Sequence, residues 1–430
     1  MSSPEPIERV FREEYARIVA TLVRRFGDID VAEDAAGEAL VLALEKWPVD
    51  GVPPNPGGWL ATTAGNKAID RLRREGRRHD KHRQAAMEAH LSGASEPSEP
   101  PSPTGPVTDD RLRLVFTCCH PALAPEMRVA LTLRLVAGLT VPEIASAFLV
   151  QEATLAQRLT RAKAKIKAAR IPYRVPQAVD LPARRDAVLA VVYLVFNEGY
   201  LATTGEAPIR SELCSEAVRL ARLLRELLPT DPEVAGLLAL MLLTEARRPA
   251  RLVDGILVPL DEQDRSAWDR AVVAEGHALV RECLARNRPG RYQLMAAINA
   301  VHTEAAVAAD TDWGQIATLY SQLYAVLPTP VVALNRAIAV AELDGAAVGL
   351  ALLEPLALTG YHPWHAARAD LLRRVGRIDD ARAAYDAAIA GSGNAAEQDW
   401  LGGRCDSPLT RTACARPIVA VLSRYIVNDR

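Results

Sequence analysis

The sequence predicts an all-α protein in which two small helical domains precede a long helical solenoid. Composition points there first. Only 5% of residues are aromatic, while Ala, Leu and Arg abound and lose little conformational freedom on entering a helix. Apolar residues also return at three- and four-residue spacing through most of the chain, the stripe of an amphipathic helix. Toward the C-terminus, helix starts recur at a near-constant interval. At 430 residues the chain has length for two to four domains.

The first helix covers about 5–26, where Ile7, Val10, Phe11, Ile18, Val19, Leu22 and Phe26 share a face. Gly27 and Asp28 interrupt it, and a second helix runs from about Val31 to Trp47 with Ala35, Ala39, Leu42 and Ala43 inward. Pro48 to Gly58 reads as a Pro/Gly loop. Asn55 and Pro56 then supply an N-cap and first-turn pair for a third helix, roughly 56–78, which buries Trp59, Leu60, Ala64, Ala68 and Leu72. These helices make a first domain, 1–87. Residues 88–108 are rich in Ser, Glu and Pro and poor in large apolar side chains, so they cannot offset the entropy of ordering and read as a flexible linker. A second helical domain, 109–176, closes at Pro172 and Pro176.

Residues 177–430 read as paired helices. Early pairs are degenerate (187–200 with 211–228, and 232–247). Later, Trp313, Ala347 and Asp379 each head a helix, 34 and 32 residues apart, close to the tetratricopeptide period of about 34. The clearest unit is 366–390, where Ala381, Ala384 and Ala388 would let two helices approach closely.

Net charge is −2, but residues 1–175 hold 25 Lys+Arg against 22 Asp+Glu, and the remainder 26 against 31. The cations of the first part are clustered, which fits a nucleic-acid ligand there and a protein ligand for the rest. One cluster, on the third helix, comprises Lys67, Arg71, Arg73, Arg74, Arg77, Arg78, Lys81 and Arg83, beside Trp59 and Asn66. Cations beside an aromatic and an amide suit opened DNA, by phosphate neutralisation plus base contact, although Trp59 by itself fits a core position better than a stacking platform. The second helix instead carries Asp28, Asp30, Glu33, Asp34 and Glu38. Carboxylates in a first turn oppose the helix dipole, but five in eleven residues exceed that need and suit a basic protein partner.

The strongest local signal lies at 138–168. Thr140-Val141-Pro142-Glu143 is a capping box that opens a short helix, 141–148, with Ile144 and Ala145 inward. After a turn near Gln151, a second helix buries Leu155, Leu159, Ala162 and Ile166. Thr154, Arg158, Arg161 and Lys165 share a face about a quarter turn away, with Gln157 further round. This is a helix-turn-helix, whose second helix can enter the major groove.

Asp30 to Glu38-Ala39, Asn55-Pro56-Gly57-Gly58-Trp59-Leu60, Asn66 to Arg74, and Gly138 to Lys167, in that order and with that linker, resemble extracytoplasmic-function sigma factors of the sigma-70 family. Phe116-Thr117-Cys118-Cys119-His120-Pro121, Phe196-Asn197-Glu198-Gly199-Tyr200 and the repeat-like tail resemble a subgroup with a C-terminal tetratricopeptide-like extension. The resemblance implies sigma region 2 over 1–87 and sigma region 4 over 109–176. It implies that Asp30, Glu33, Asp34 and Glu38 dock on core RNA polymerase, whose clamp region and flap would be the contacts. It further implies that the loop 49–58 and Trp59, Asn66, Lys67, Arg71 and Arg74 read and open the −10 element of promoter DNA, while Thr154, Gln157, Arg158, Arg161 and Lys165 read the −35 element. The acidic extension would contact polymerase or fold against 1–175 and so control activity.

The alternative is a helix-turn-helix regulator with a tetratricopeptide sensor, acting on duplex operators without polymerase; it leaves the acidic helix and the first basic helix without a task. No Ser/His/Asp set, Walker loop or dinucleotide fingerprint appears, so the expectation is a non-enzyme with no cofactor. Six scattered cysteines suit a reduced chain, and the adjacent Cys118 and Cys119 with His120 would chelate one metal poorly; a buried turn and no metal site are expected. Met-Ser-Ser-Pro-Glu-Pro lacks a signal pattern, and the longest apolar run, Ala187 to Phe196, is half a membrane span. The expected location is cytoplasmic, without membrane contact.

Overall fold

Helical periodicity dictates the architecture. The computed structural model describes residues 5–87, 107–148, 150–200, 209–253, 256–356, 358–393 and 395–406, and among these helices dominate. The chain divides into two compact units, 1–191 and 192–430.

In the first unit α1 (Glu5–Phe26), α2 (Ile29–Asp50) and α3 (Pro56–Met87) pack on one another. Tyr15, Ile18, Val19 and Leu22 of α1 are buried, with Ala35, Ala39 and Ala43 of α2 and Leu60, Ala64 and Ala68 of α3. Small residues at the α2–α3 crossing let the two backbones approach. Asp28 caps α2 by accepting from the N–H groups of Asp30 and Val31, and the Asn55 amide oxygen accepts the Gly58 N–H at the start of α3. Ile7, Val10 and Phe11, and the cations Arg77, Arg78, Lys81 and Arg83, have side chains outside the described set, as does the predicted linker up to residue 106.

Three sequence expectations need correction here. α2 continues through Pro48 to Asp50, so the loop is 51–55 rather than 48–58. A proline in a last turn forfeits one N–H while its carbonyl stays free to accept, and the chain stops instead at Gly51 (φ 85°), whose N–H meets the Trp47 carbonyl. Leu72 is 38% exposed rather than buried. Trp59 is half-buried, edge-on to the buried Trp47 with ring centroids 5.4 Å apart.

The same unit continues through α4 (Val107–Cys118), which packs on α1, then α5 (Pro125–Leu131) and a wide π-type turn, Thr132–Val136, closed by the Ala137 N–H on the Thr132 carbonyl at 2.9 Å. α6 (Val141–Ala147) and α7 (Glu152–Ala168) follow, then α8 (Leu181–Tyr200), in which the division between the units falls.

The second unit continues from α8 through α9 (Ser211–Leu227), α10 (Pro232–Glu245), α11 (Arg270–Arg286) and α12 (Arg291–Glu304). α13 (Trp313–Val326), α14 (Pro330–Asp344), α15 (Ala346–Leu353), α16 (His362–Arg374), α17 (Ile378–Gly391) and α18 (Ala395–Asp406) complete it. Sequential helices pack on one another from α13 to α18. The starts at Trp313, Ala346 and Ile378 fall within one residue of those read from the repeat interval. Ala381, Ala384, Tyr385 and Ala388 of α17 are all buried against α16. A two-residue β-hairpin, Leu252–Val253 against Ile256–Leu257, interrupts the helices and was not foreseen. Gly199 sits where α8 meets the start of α9: a Cβ there would lie 2.6 Å from the Cys214 nitrogen, so only glycine fits. Beside it Glu198 pairs with Arg210 at 2.8 Å.

Candidate nucleic-acid and polymerase interface

The helix-turn-helix forms as its local chemistry dictates. Thr140 and Glu143 close their box reciprocally, the Glu143 carboxylate accepting the Thr140 N–H at 2.6 Å and the Thr140 hydroxyl accepting the Glu143 N–H at 3.3 Å. Ile144 and Ala145 of α6 are buried, as are Leu155, Leu159, Ala162 and Ile166 of α7. That stripe turns Thr154, Gln157, Arg161 and Lys165 to solvent, with Arg158 half-buried at its edge. α7 therefore offers a row of two donor–acceptor side chains and three cations with the reach and chemistry for base edges and phosphates.

On α3, Asn66 and Arg74 are exposed, and Arg74 donates to the Asp70 carbonyl at 3.2 Å. Lys67 and Arg71 reach back to α2. Lys67 pairs with Glu38 at 3.4 Å, and Arg71 pairs with Asp34.

The carboxylates at the start of α2 meet a different set of cations. Glu33 receives the Arg134 guanidinium on one oxygen at 2.5 Å and the Lys163 ammonium on the other at 3.0 Å, and Lys163 also reaches Asp30 at 2.5 Å. Lys167 lies 3.7 Å from Asp28. Arg134 is delivered by the π-type turn, is held by the Leu139 carbonyl at 2.9 Å, and lies 5.9 Å over the Tyr15 ring. Gly138, with φ +77°, completes this approach, since an added Cβ would come within 3.3 Å of the Tyr15 side chain. Burial would raise the Glu33 carboxyl, but the Arg134 and Lys163 cations outweigh it and hold the group below its ordinary range. Burial opposes the charge on Lys163 as well, and Glu33 and Asp30 more than compensate, raising it. Farther along, the Tyr173 hydroxyl donates to the Ala20 or the Asp110 carbonyl, at 2.8 and 3.0 Å, and Arg24 pairs with Asp110 at 3.2 Å.

All four carboxylates singled out on α2 thus face cations of the chain itself. Two of those cations, Arg134 and Lys163, were missed by sequence reasoning. Lys163 carried a signal: it follows Ala162 and lies between Leu159 and Ile166, so it borders the buried stripe of α7. Arg134 carried none, because its position depends on the π-type turn.

Cys118 ends α4, and Cys119 and His120 open the turn after it. Both thiols are buried; Cys119 lies 3.3 Å from the Thr132 hydroxyl, and burial pushes its thiol up to about 11. His120 Nδ1 accepts the Ala122 N–H at 3.1 Å. Among the described residues no group of three His, Cys, Asp or Glu side chains could hold a metal ion, and no helix is long and apolar enough to cross a membrane.

Comparison with known proteins fits this layout. Residues 10–78 match the family described as Sigma-70 region 2, and residues 113–166 match Sigma-70, region 4. The chain belongs to the sigma-70 family, as an extracytoplasmic-function type sigma factor. Residues 184–284 of this sigma factor match a family of unknown function, DUF6596. It is 42% identical over 396 residues to an uncharacterized protein, R00370, of Rhizobium meliloti, covering 89% of this chain and 91% of the relative. It is 30% identical over 178 residues to a probable ECF RNA polymerase sigma factor, SigI, of Mycobacterium tuberculosis, covering 41% of this chain and 60% of that one. No solved structure matches.

Its region 2 comprises α1–α3 and its region 4 comprises the helix-turn-helix, with the match to region 4 ending at the last buried residue of α7. Such a protein serves transcription initiation, with core RNA polymerase and promoter DNA as its partners.

Proposed function

We propose that this sigma factor docks on core RNA polymerase through Asp30, Glu33, Asp34 and Glu38 of α2. In the same reading, Trp59, Asn66, Lys67, Arg71 and Arg74 act at the −10 element, and Thr154, Gln157, Arg158, Arg161 and Lys165 at the −35 element. The observation that carries this reading is the solvent-facing row on α7, a quarter turn from a fully buried stripe and behind a closed capping box. A basic helix presented in that way has no core role to explain its donors.

Clamp-region and flap contacts on polymerase are part of the same reading. Residues 177–430, a tetratricopeptide-like helical repeat in this account, control the initiating activity, since stacked helices provide an extended surface for a protein or peptide. The experiment is run-off transcription with purified core polymerase and promoter fragments, comparing the full chain with one ending at Pro176. The expected outcome is promoter-selective initiation that needs the chain and whose level changes on truncation. Equal output from both chains would remove the regulatory part, and promoter binding by the chain alone without polymerase-dependent initiation would favour an operator-binding regulator.

A further inference from the structure

We propose that the pocket between the turn after α4 and the segment leading into α8 binds a small phosphate ester, held by Arg184, Arg174 and His120. Neither polymerase docking nor promoter reading, as assigned above, uses these residues.

The path of the chain makes the pocket. Past α7 the backbone turns at Arg170 (φ 49°) and runs outside any helix through Pro172 and Pro176 to the start of α8. Between that segment, the first turn of α8 and His120 lies a cavity of about 320 Å³. Its size falls at the lower end of small-molecule sites, about 300–1,000 Å³. Pro172, Pro176 and Ala183 supply apolar lining, against which the organic body of a compact ligand would rest.

Charge selects the class of ligand. Arg184 donates to the Phe116 carbonyl at 2.9 Å, which positions the guanidinium, and its Nε–H is buried without an acceptor among the described residues. Arg174 is exposed, and among the described residues neither guanidinium is in an ion pair. The Ala122 N–H donates to His120 Nδ1 at 3.1 Å, so the neutral ring carries its proton on Nε2 and offers a donor there. Burial and the Arg184 and Arg128 guanidiniums hold His120 below its ordinary range, which keeps the ring in that form. The carboxylate among the lining residues is Asp180, which offsets part of the Arg184 charge. The first turn of α8 adds the positive end of a 20-residue helix. The balance is positive and rich in donors.

Three donor-bearing side chains, from three separate segments, line one cavity. A phosphomonoester carries close to two negative charges and three terminal oxygens, enough to meet all three and outweigh Asp180. A monocarboxylate brings one charge and two oxygens, and would leave a donor unmet. No residue of the row on α7 lines the pocket, which favours a free ester over the DNA backbone as the source of the phosphate.

Titration calorimetry of the full chain tests this with glycerol 3-phosphate, phosphoserine and ribose 5-phosphate, beside inorganic phosphate and propionate. The expected result is saturable binding of at least one ester, weaker binding of inorganic phosphate and none of propionate. Arg184→Gln and Arg174→Gln should each weaken ester binding by about tenfold or more. Arg174 is exposed, so its replacement leaves the core in place, and Arg174→Lys should restore part of the affinity. In proton NMR the His120 ring should titrate at higher pH with ester bound, because the anion offsets Arg184 and Arg128. Absence of saturable binding by every ester overturns the site. Binding that propionate matches, or that both glutamine variants retain in full, overturns it as well. Weaker duplex binding by Arg174→Gln, with no ester bound by the parent chain, would assign these cations to the DNA backbone and so refute the proposal.

Discussion

Helices α3 and α7 both carry rows of cations flanked by amide side chains, yet they differ in what those cations already touch. On α3, Lys67 and Arg71 are tied to Glu38 and Asp34, the turns of α2 that follow Glu33, through pairs whose carboxylates are 40% and 48% exposed. On α7 the row from Thr154 to Lys165 is free of α2, while Lys163, one step round, is committed to a half-buried cluster. The difference shows that charge counts along a helix do not report availability. A cation beside a buried stripe is drawn into long-range pairs, whereas one a quarter turn away remains for a ligand. It also shows that neighbouring carboxylates of α2 are unequal, since exposed pairs exchange readily with solvent and partners and the Glu33 cluster does not.

Breaking the Glu33 cluster should have the largest effect on stability. Glu33→Gln removes the charge that both Arg134 and Lys163 face, and should destabilise the first unit by about 1.5–3 kcal/mol in denaturant unfolding. Its pH dependence has a defined sign. The Glu33 carboxyl is held below its ordinary value, so its stabilisation is complete above the usual glutamate range near pH 4.3 and is lost as pH falls through the depressed value. The stability gap between parent and Glu33→Gln should hold at pH 5 and close in stronger acid; a gap that widened on acidification would contradict the pairing.

Arg161→Ala comes next. If the exposed row of α7 reads base edges, this change should cost about 1–3 kcal/mol of −35-dependent initiation and relax preference at one position. The same substitution should leave core polymerase affinity unchanged. Thr140→Ala, which opens the capping box before α6, should cost about 1 kcal/mol of stability by thermal unfolding. Smallest of all, Glu38→Gln should alter stability by less than about 0.5 kcal/mol, because its pair with Lys67 is largely solvated. A loss as large as that of Glu33→Gln would erase the distinction between the buried and the exposed carboxylates of α2.

Most of the fold was legible because its determinants are local. The stripe of Leu155, Leu159, Ala162 and Ile166, the Thr140–Glu143 box and the Asn55 cap each depend on residues within one or a few helical turns, and all are present. The misplaced end of α2 reflects a rule applied too strictly: Pro48 forfeits one N–H to the preceding turn, and the helix still runs on to Asp50. The hairpin at 252–257 is too short for alternation to reveal. The pairing of Glu33 with Arg134 and Lys163 spans about a hundred residues of sequence and depends on a π-type turn that no periodicity announces. The cations of the two rows on α3 and α7 were therefore visible in the sequence, while the pairing of Arg134 and Lys163 with Glu33 was not.

The most direct test of the sigma-factor role joins purified core polymerase, the full chain and a library of promoter fragments in a single-round transcription assay. The account predicts initiation at a discrete set of start sites sharing −10 and −35 sequences, absent with core alone and weakened by Arg161→Ala. Transcription by core that stays unselective after the chain is added would contradict it.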